Sequence, residues 1–332
     1  MTNSYKNILL INFGGIGDEI LFLPTIASLK KDHPNAKITL CLEPRSKSIQ
    51  SLTPLIDELI CADVKAQGFK KYFETIKMLC NIRSKNFDLV ISSGKSPQVA
   101  VLEFLTGIKT RIGYGSKTSC LLTHRVKLNE NQYAANMYHD LIFPISQQKC
   151  PPIEIEPAAE LPRELEGLEY IALHPGVSKM SIAKNMIKCP KPSFWQELIS
   201  KLSENNRRVV LLGGPDDKEI VEQLTSQMND NPNLLNYFGK TADIAQMAKI
   251  IQKAKALVCV DSASMHIGVG VGTKVIAVFG PTNEEKLIPK GENCIVIKVP
   301  CKCRPCLWDK RQTTCETLEC LDVKPEQVLE HL

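Results

Sequence analysis

The alternation of short apolar runs with longer amphipathic ones constrains this chain more than any other feature. "NILLIN" (7–12), "KITLCL" (37–42), "ELICAD" (58–63) and "DLVISS" (88–93) are strand-sized, and helical patterns separate them near 18–32, 46–52 and 69–84. Strands joined through helices predict a parallel sheet covered on both faces. The rhythm stops in "QQKCPPIEIEPAAELP" (147–162), a proline-rich and acidic stretch that reads as a linker. It restarts with "YIALHPG" (170–176), "RVVLLGGPDD" (208–217), "NLLNYFG" (233–239), "ALVCVDSAS" (256–264) and "KVIAVFGPT" (274–282), with helices expected over 192–204, 217–227, 243–253 and 264–270. Two domains suit 332 residues, because single cores stop growing near ~250–300. The expected fold is α/β: Rossmann-like halves at 1–155 and 156–332 that face one another, with the cleft between them as the ligand site. After Cys294 the chain reads as irregular, ending in a short helix, "KPEQVLEHL".

Composition narrows the class. A hydrophobic share of 43% with 23% charged residues belongs to an ordinary globular protein. No apolar run approaches the ~18 residues of a membrane span, and Asp18 and Glu19 interrupt the first one in a way no secretory segment tolerates. The expectation is a cytoplasmic protein. A net charge of +5 favours anionic ligands or surfaces without amounting to a nucleic-acid footprint. Of the 13 cysteines, seven are scattered singly and read as reduced thiols, while six crowd into 294–320.

Several strand-to-helix turns carry the chemistry. In "FGGIGDEILFLP" (13–24), Gly14, Gly15 and Gly17 permit a tight turn and close approach of a ligand. The spacing is neither a Walker A loop nor the dinucleotide fingerprint. Asp18 suits two roles: capping the orphan N–H groups of the helix start, or accepting a proton from a hydroxyl nucleophile. In "VDSASMHIG" (260–268) a strand ends at Asp261, and Ser262, Ala263 and His266 lie on the first turn of a helix whose free N–H groups suit a pyrophosphate. His266 reads either as a core histidine or as a donor to phosphate or sugar. "LHPGVSK" (173–179), with Gly176 and Ser178, and "LLGGPDD" (211–217), with Gly213 and Gly214, converge on the same sheet edge. Lys179, Lys184 and Lys188 follow, as a solvated face or as cations for a departing diphosphate.

These stretches, with "FDLVISSGKS", "TGIKTRIGYG", "FGKTADIAQMAKIIQKAKALVCVDSASMHIGVGVGTKVIAVFGPT" and "CRPC…CLDVKPEQV", occur in the order found in glycosyltransferase family 9, the ADP-heptose:lipopolysaccharide heptosyltransferases, which the chain resembles over nearly its whole length. The resemblance implies a GT-B fold, with acceptor on the first domain and nucleotide sugar on the second. Asp18 is then the base of an inverting displacement. Asp261, Ser262, Ala263 and His266 fall on nucleotide-sugar positions, and Lys95 and Arg111 on basic acceptor positions, with ordinary surface charge the alternative for these two. No metal is required for catalysis. The implied partners are an ADP-heptose-like donor and a lipid-linked oligosaccharide, which brings peripheral contact with the inner face of the cytoplasmic membrane. Two positions depart from the family pattern: Ala263 replaces its usual glycine, and "IKCP" (187–190) puts Ile187 where it has lysine, so that Lys188 or Lys184 must substitute.

In "PCKCRPCLWDKRQTTCETLEC" (300–320), Cys303, Cys306, Cys315 and Cys320 form a C-x2-C pair followed by two more cysteines, a set able to hold structural zinc or iron. Free thiols or a disulfide are the alternative. Similar cysteines recur in the family, where autotransporter-modifying relatives are thought to hold iron. Two further readings stand beside the lipopolysaccharide enzyme: a glycosyltransferase acting on protein, and a catalytically silent nucleotide-sugar binder.

Overall fold

The computed structural model describes residues 4–226, 228, 230–307 and 315–332. The chain forms two compact units, Met1–Glu156 and Pro157–Leu332, which divide inside the proline-rich stretch. In the first, strands β1 (Asn7–Ile11), β2 (Lys37–Leu42), β3 (Glu58–Cys61), β4 (Leu89–Ser92), β5 (Thr110–Tyr114) and β6 (His124–Val126) make one parallel sheet in the order β3-β2-β1-β4-β5-β6. Helices α1 (Ile16–Asp32), α2 (Phe69–Arg83), α3 (Pro97–Thr106) and α4 (Ala134–His139) accompany it.

The second unit repeats the plan. Strands β7 (Tyr170–His174), β8 (Arg208–Leu211), β9 (Leu234–Asn236), β10 (Ala256–Val260), β11 (Val275–Phe279) and β12 (Cys294–Lys298) pair in parallel in the order β12-β11-β10-β7-β8-β9. The helices are α5 (Lys179–Ala183), α6 (Pro192–Glu204), α7 (Lys218–Thr225), α8 (Ile244–Lys253), α9 (Ala263–Gly270), α10 (Glu284–Leu287) and α11 (Pro325–Leu329). Each sheet reverses its strand order once, between β1 and β4 and between β7 and β10. Ligands bind such sheets outside the carboxyl ends of the strands at that reversal.

Burial explains why these segments order. β1, β7, β10 and β11 lie under helices on both sides and are almost wholly apolar, as central parallel strands must be. α6 starts at Pro192, whose missing N–H costs nothing at a first helical position, and sinks Phe194, Trp195, Leu198, Ile199 and Leu202 into the core of the second unit. Burying each such side chain contributes about 1.5–3 kcal/mol before chain entropy opposes it. α8 is stopped at its start by Asp243, whose carboxylate accepts the Gln246 N–H at 2.9 Å. Gly268 lets α9 press onto the sheet: an added Cβ would stand 2.7 Å from Leu257 and 2.8 Å from Val275.

The structure departs from the sequence expectations in short or polar elements. Residues 44–52 form 3-10 turns where a helix is expected, because Pro44 opens a segment with only Ser46, Ile49 and Leu52 buried. β5, β6 and β12 are strands that the apolar rhythm does not reveal. "TRIGY" is interrupted by charge and glycine, "HRV" has three residues, and "CIVIK" is a half-buried edge inside the segment that reads as irregular. The expected end of the helix at residue 227 and residues 308–314 of the cysteine-rich segment lie outside the described residues.

Candidate active site

In the first unit, β1 ends at Ile11 and the chain turns through Asn12–Gly15 into α1, at the reversal point of the sheet. Asp18, three residues past the N-cap Gly15, reaches back so that its Oδ2 accepts the Gly15 N–H at 2.9 Å. Its Oδ1 accepts the Tyr138 hydroxyl at 3.1 Å. Gly14 is required by this hook, since a Cβ there would lie 2.3 Å from the Asp18 Cβ. The Ser93 hydroxyl donates to Asn12 Oδ1 at 3.0 Å and ties the loop after β4 to the turn. Asp18 therefore caps the helix while remaining partly exposed, with lone pairs left for a further donor. Burial and the adjacent Asp18 charge push the Tyr138 phenol well above the usual range, so it stays a donor.

Glu19, next in sequence, points the other way. It is fully buried, and desolvation, then the charges of Asp18 and Glu43, raise its carboxyl to about 9 against the pull of Arg45 and Asn12. One residue of the acidic pair is open to chemistry and the other is an interior acid. Glu43 is held by Arg45 at 2.7 Å and Lys65 at 2.6 Å.

Lys95 and Arg111 have partners of their own. Lys95 pairs at the surface with Glu130 at 2.6 Å. The Arg111 guanidinium donates to the carbonyls of Ile108, Leu121 and Lys109 and lies 5.6 Å from the centre of the Phe104 ring. The contacts drawn around Asp18 come instead from Gly15, Asn12 and Tyr138.

In the second unit, the loops after β7 and β8 interlock. Asp217 Oδ2 accepts the Gly214 N–H at 2.7 Å and lies 3.6 Å from His174 Nε2. Burial pushes His174 down and Asp217 up. Gly176 abuts this carboxylate so closely that a Cβ would meet Asp217 Oδ1 at 1.7 Å, and Gly213 has Phe238 and Asp217 within 3.2 Å of its virtual Cβ. Ser178 caps α5, its Oγ accepting the Ser181 N–H at 3.3 Å. Asp216 Oδ2 accepts the Lys179 N–H at 3.0 Å and joins the two loops.

β10 ends at Val260, Asp261 follows it, and Ser262 is the N-cap of α9 in an extended conformation. Its side chain makes no cap bond to the helix; the Oγ pairs with Ser264 Oγ at 2.8 Å instead. The Met265 N–H is taken by the Ser262 carbonyl at 3.1 Å, which leaves the N–H groups of Ala263 and Ser264 at the positive helix end. Of the three lysines, Lys188 is the one that reaches this place: its Nζ lies 3.1 Å from Asp261 Oδ2, and both side chains are largely buried. Lys188, Asp261, Ser262 and Ala263 thus stand at one sheet end, with His266 buried on the following turn.

The cysteine-rich segment is latched to the loop after β11. Cys306 and Leu307 donate their N–H groups to the Pro281 carbonyl at 3.0 and 3.2 Å, and Arg304 donates to the Gly280 carbonyl and to Glu284. Cys303, Cys306, Cys315 and Cys320 line one small cavity with Ile187 and Leu318, and Cys301 Sγ lies 3.3 Å from Cys303 Sγ. Burial, then the neighbouring Cys301, Cys303 and Cys306, push the Cys320 thiol up to about 12. Thiols converging on one wall suit a soft cation, yet among the described residues no three Cys, His, Asp or Glu side chains are drawn together as a metal-ligand set.

Sequence reasoning missed Tyr138, which is 120 residues from Asp18, and the His174–Asp217 pair. A lone tyrosine in "AANMYHD" (134–140) carries no local signal. The histidine of "LHPG" ends β7 and the second aspartate of "GGPDD" follows β8, the strand paired with it, which is the one clue that was present.

Known proteins resemble this arrangement along most of the chain. The model of glycosyltransferase family 9 (heptosyltransferase) matches residues 75–316. A lipopolysaccharide heptosyltransferase 3 of Escherichia coli is 29% identical over 301 residues, 84% of this chain and 85% of that protein. The structure of E. coli ADP-heptose lps heptosyltransferase II superposes with a TM-score of 0.77 at 20% identity, covering 98% of this chain and 97% of that one. An E. coli heptosyltransferase with ADP-2-deoxy-2-fluoro heptose gives 0.75 at 19% identity, covering 98% of each chain. The two parallel sheets are those of the GT-B fold. With the family model spanning more than two thirds of its residues, the chain belongs to glycosyltransferase family 9, the heptosyltransferases.

Proposed function

We propose that this glycosyltransferase moves a heptose, or a closely similar sugar, from an ADP-activated donor to a hydroxyl of a lipopolysaccharide core acceptor, with inversion. The observation that carries the reading is the Asp18 carboxylate, fixed by Gly15 and Tyr138 yet partly exposed at the reversal point of its sheet. A base of this kind accepts the proton of the acceptor hydroxyl as its oxygen attacks the anomeric carbon. The bond from that carbon to the diphosphate oxygen breaks in the same displacement, which inverts the configuration. The Tyr138 donor fixes the orientation of the carboxylate through its other oxygen.

The donor end draws its support from the second unit. The open first turn of α9 offers N–H groups to the diphosphate, and Lys188 has two ammonium hydrogens beyond the one on Asp261. Together they offset charge on the departing ADP. The contact with Asp261 favours Lys188 over Lys184 for the role that "IKCP" left between them. Gly15, Gly17, Gly176, Ser178, Gly213, Gly214, Ser262, Ala263 and His266 complete the proposed donor surroundings, and Lys95 and Arg111 remain acceptor candidates. The relatives are lipopolysaccharide heptosyltransferases, two of them named for ADP-heptose or its fluoro analogue, which is what favours these substrates. No helix of the described residues is long and apolar enough to cross a membrane.

Asp18→Asn tests the assignment. The variant should bind the nucleotide sugar as the parent does, by calorimetry, while turnover falls by about 10²–10⁴; undiminished turnover removes Asp18 as the base. For the cysteines we propose a structural zinc or iron, supported by four thiols on one cavity wall. Elemental analysis of purified protein should find about one ion per chain, and metal-free folded protein with every thiol titratable overturns it.

A further inference from the structure

α2 has two apolar faces. Met78 and Ile82 are buried in the core with Leu9, Ile11 and Val90. On the opposite side Phe69, Tyr72, Phe73 and Ile76, spaced i, i+3, i+4 and i+7, are 93%, 70%, 67% and 60% exposed. α3 packs beside it, joined where Arg83 Nε donates to the Leu105 carbonyl at 3.0 Å. Its Val101, Phe104 and Leu105 are exposed as well. Single exposed apolar residues are ordinary, but an unbroken helical stripe of aromatics is not. A helix already anchored through Met78 and Ile82 gains no stability from a second apolar face in water.

Charge identifies the occupant. α2 carries Lys70, Lys71, Lys77 and Arg83 against a single acid, Glu74. On a helical projection Lys70, which also meets Asp63 at 3.2 Å at the surface, and Lys77 flank one edge of the stripe, while Lys71 falls toward the Met78 side. Two copies pairing through this face would bring their basic edges together, whereas an anionic lipid surface complements them. We infer that the outward face of α2, continued by α3, docks the protein onto an anionic bilayer, with Phe69, Tyr72, Phe73 and Ile76 entering the headgroup region and the lysines meeting lipid phosphates. The lipid-linked acceptor of the proposed function makes a membrane contact necessary; the choice of surface rests on α2 and is tested without donor or acceptor.

Flotation of the full chain with vesicles of phosphatidylethanolamine and phosphatidylglycerol, against vesicles of phosphatidylcholine alone, makes the measurement. The parent should partition onto the anionic vesicles. Phe69→Ser/Phe73→Ser/Ile76→Ser should lower that partitioning by about tenfold or more, with an unchanged melting curve because the buried side of α2 is untouched. Lys70→Glu/Lys77→Glu should lower it by about tenfold or more, and salt should weaken parental binding. No partitioning by the parent, or a variant that partitions as the parent does, overturns the surface while leaving the transferase assignment intact. If the serine variant instead turns a dimer into a monomer at unaltered vesicle affinity, the face belongs to a second copy and the proposal fails.

Discussion

The turn after β1 and the turn after β8 are built alike and are used differently. Each runs from a strand through two glycines into a helical turn, and each places an aspartate that accepts the N–H of the second glycine: Asp18 to Gly15 at 2.9 Å, Asp217 to Gly214 at 2.7 Å. Asp217 is 5% exposed, covered by His174 and by the backbone of Gly176. Asp18 is partly open, and its second oxygen meets a phenol. A shared cap explains why both aspartates are there. Only what surrounds the remaining lone pairs separates a fastening from a candidate base.

The comparison breaks most readily at the two carboxylates. Where Asp18→Asn removes turnover by orders of magnitude and leaves the fold, Asp217→Asn should do the reverse. Its melting temperature should drop by several degrees, the loss of a buried carboxyl that accepts the Gly214 N–H and faces His174 costing about 1–3 kcal/mol, while turnover per folded molecule stays near the parental value. Equal effects of the two substitutions on turnover would show that the turns do not differ in kind.

The glycines sharpen the same contrast. Gly176→Ala forces a methyl group against Asp217 Oδ1 and should cost about 1–3 kcal/mol in denaturant unfolding. Gly15→Ala has φ −82° and nothing nearer than 3.9 Å to its added Cβ, so stability should hold while donor or acceptor affinity falls.

The smallest effect concerns Glu19. Burial raises its folded carboxyl from 4.5 to about 9, so the folded form keeps a proton that the unfolded chain releases. At this site stability is greatest below pH 4.5 and declines as pH rises toward about 9. Glu19→Gln should flatten the melting temperature against pH across that window by a few degrees. Retention of the full parental slope would place the proton elsewhere, with Glu103, also raised to about 9 by burial, the next group to replace.

Much of this was legible beforehand because central parallel strands need continuous apolar runs, and β1, β2, β7, β10 and β11 advertise themselves. The glycine turns were legible because a sharp strand-to-helix reversal needs glycine where side chains would collide, as at Gly14 and Gly176. β5 and β6 were not, since edge strands tolerate charge and brevity. Nor could the sequence say that Asp18 and Glu19, adjacent and alike in chemistry, would part into an open carboxylate and a buried acid. A helix turns ~100° per residue, so neighbours face different surroundings, and which face is buried is settled by packing from distant segments. The same holds for the contacts of Tyr138 with Asp18 and of Lys188 with Asp261, both fixed by folds of the chain with no local mark.

The latch between the cysteine-rich segment and the loop after β11 bears on any attempt to re-engineer the protein. Arg304, Cys306 and Leu307 hold the carbonyls of Gly280 and Pro281, and Leu321 presses on Gly280, where a Cβ would stand 2.4 Å from it. The tail is therefore a brace for a loop at the same sheet edge as Asp261. Grafting a tail from a related enzyme, or trimming it to shorten an expression vector's insert, would loosen that edge, and chimaeras should exchange the brace and its loop as a single module.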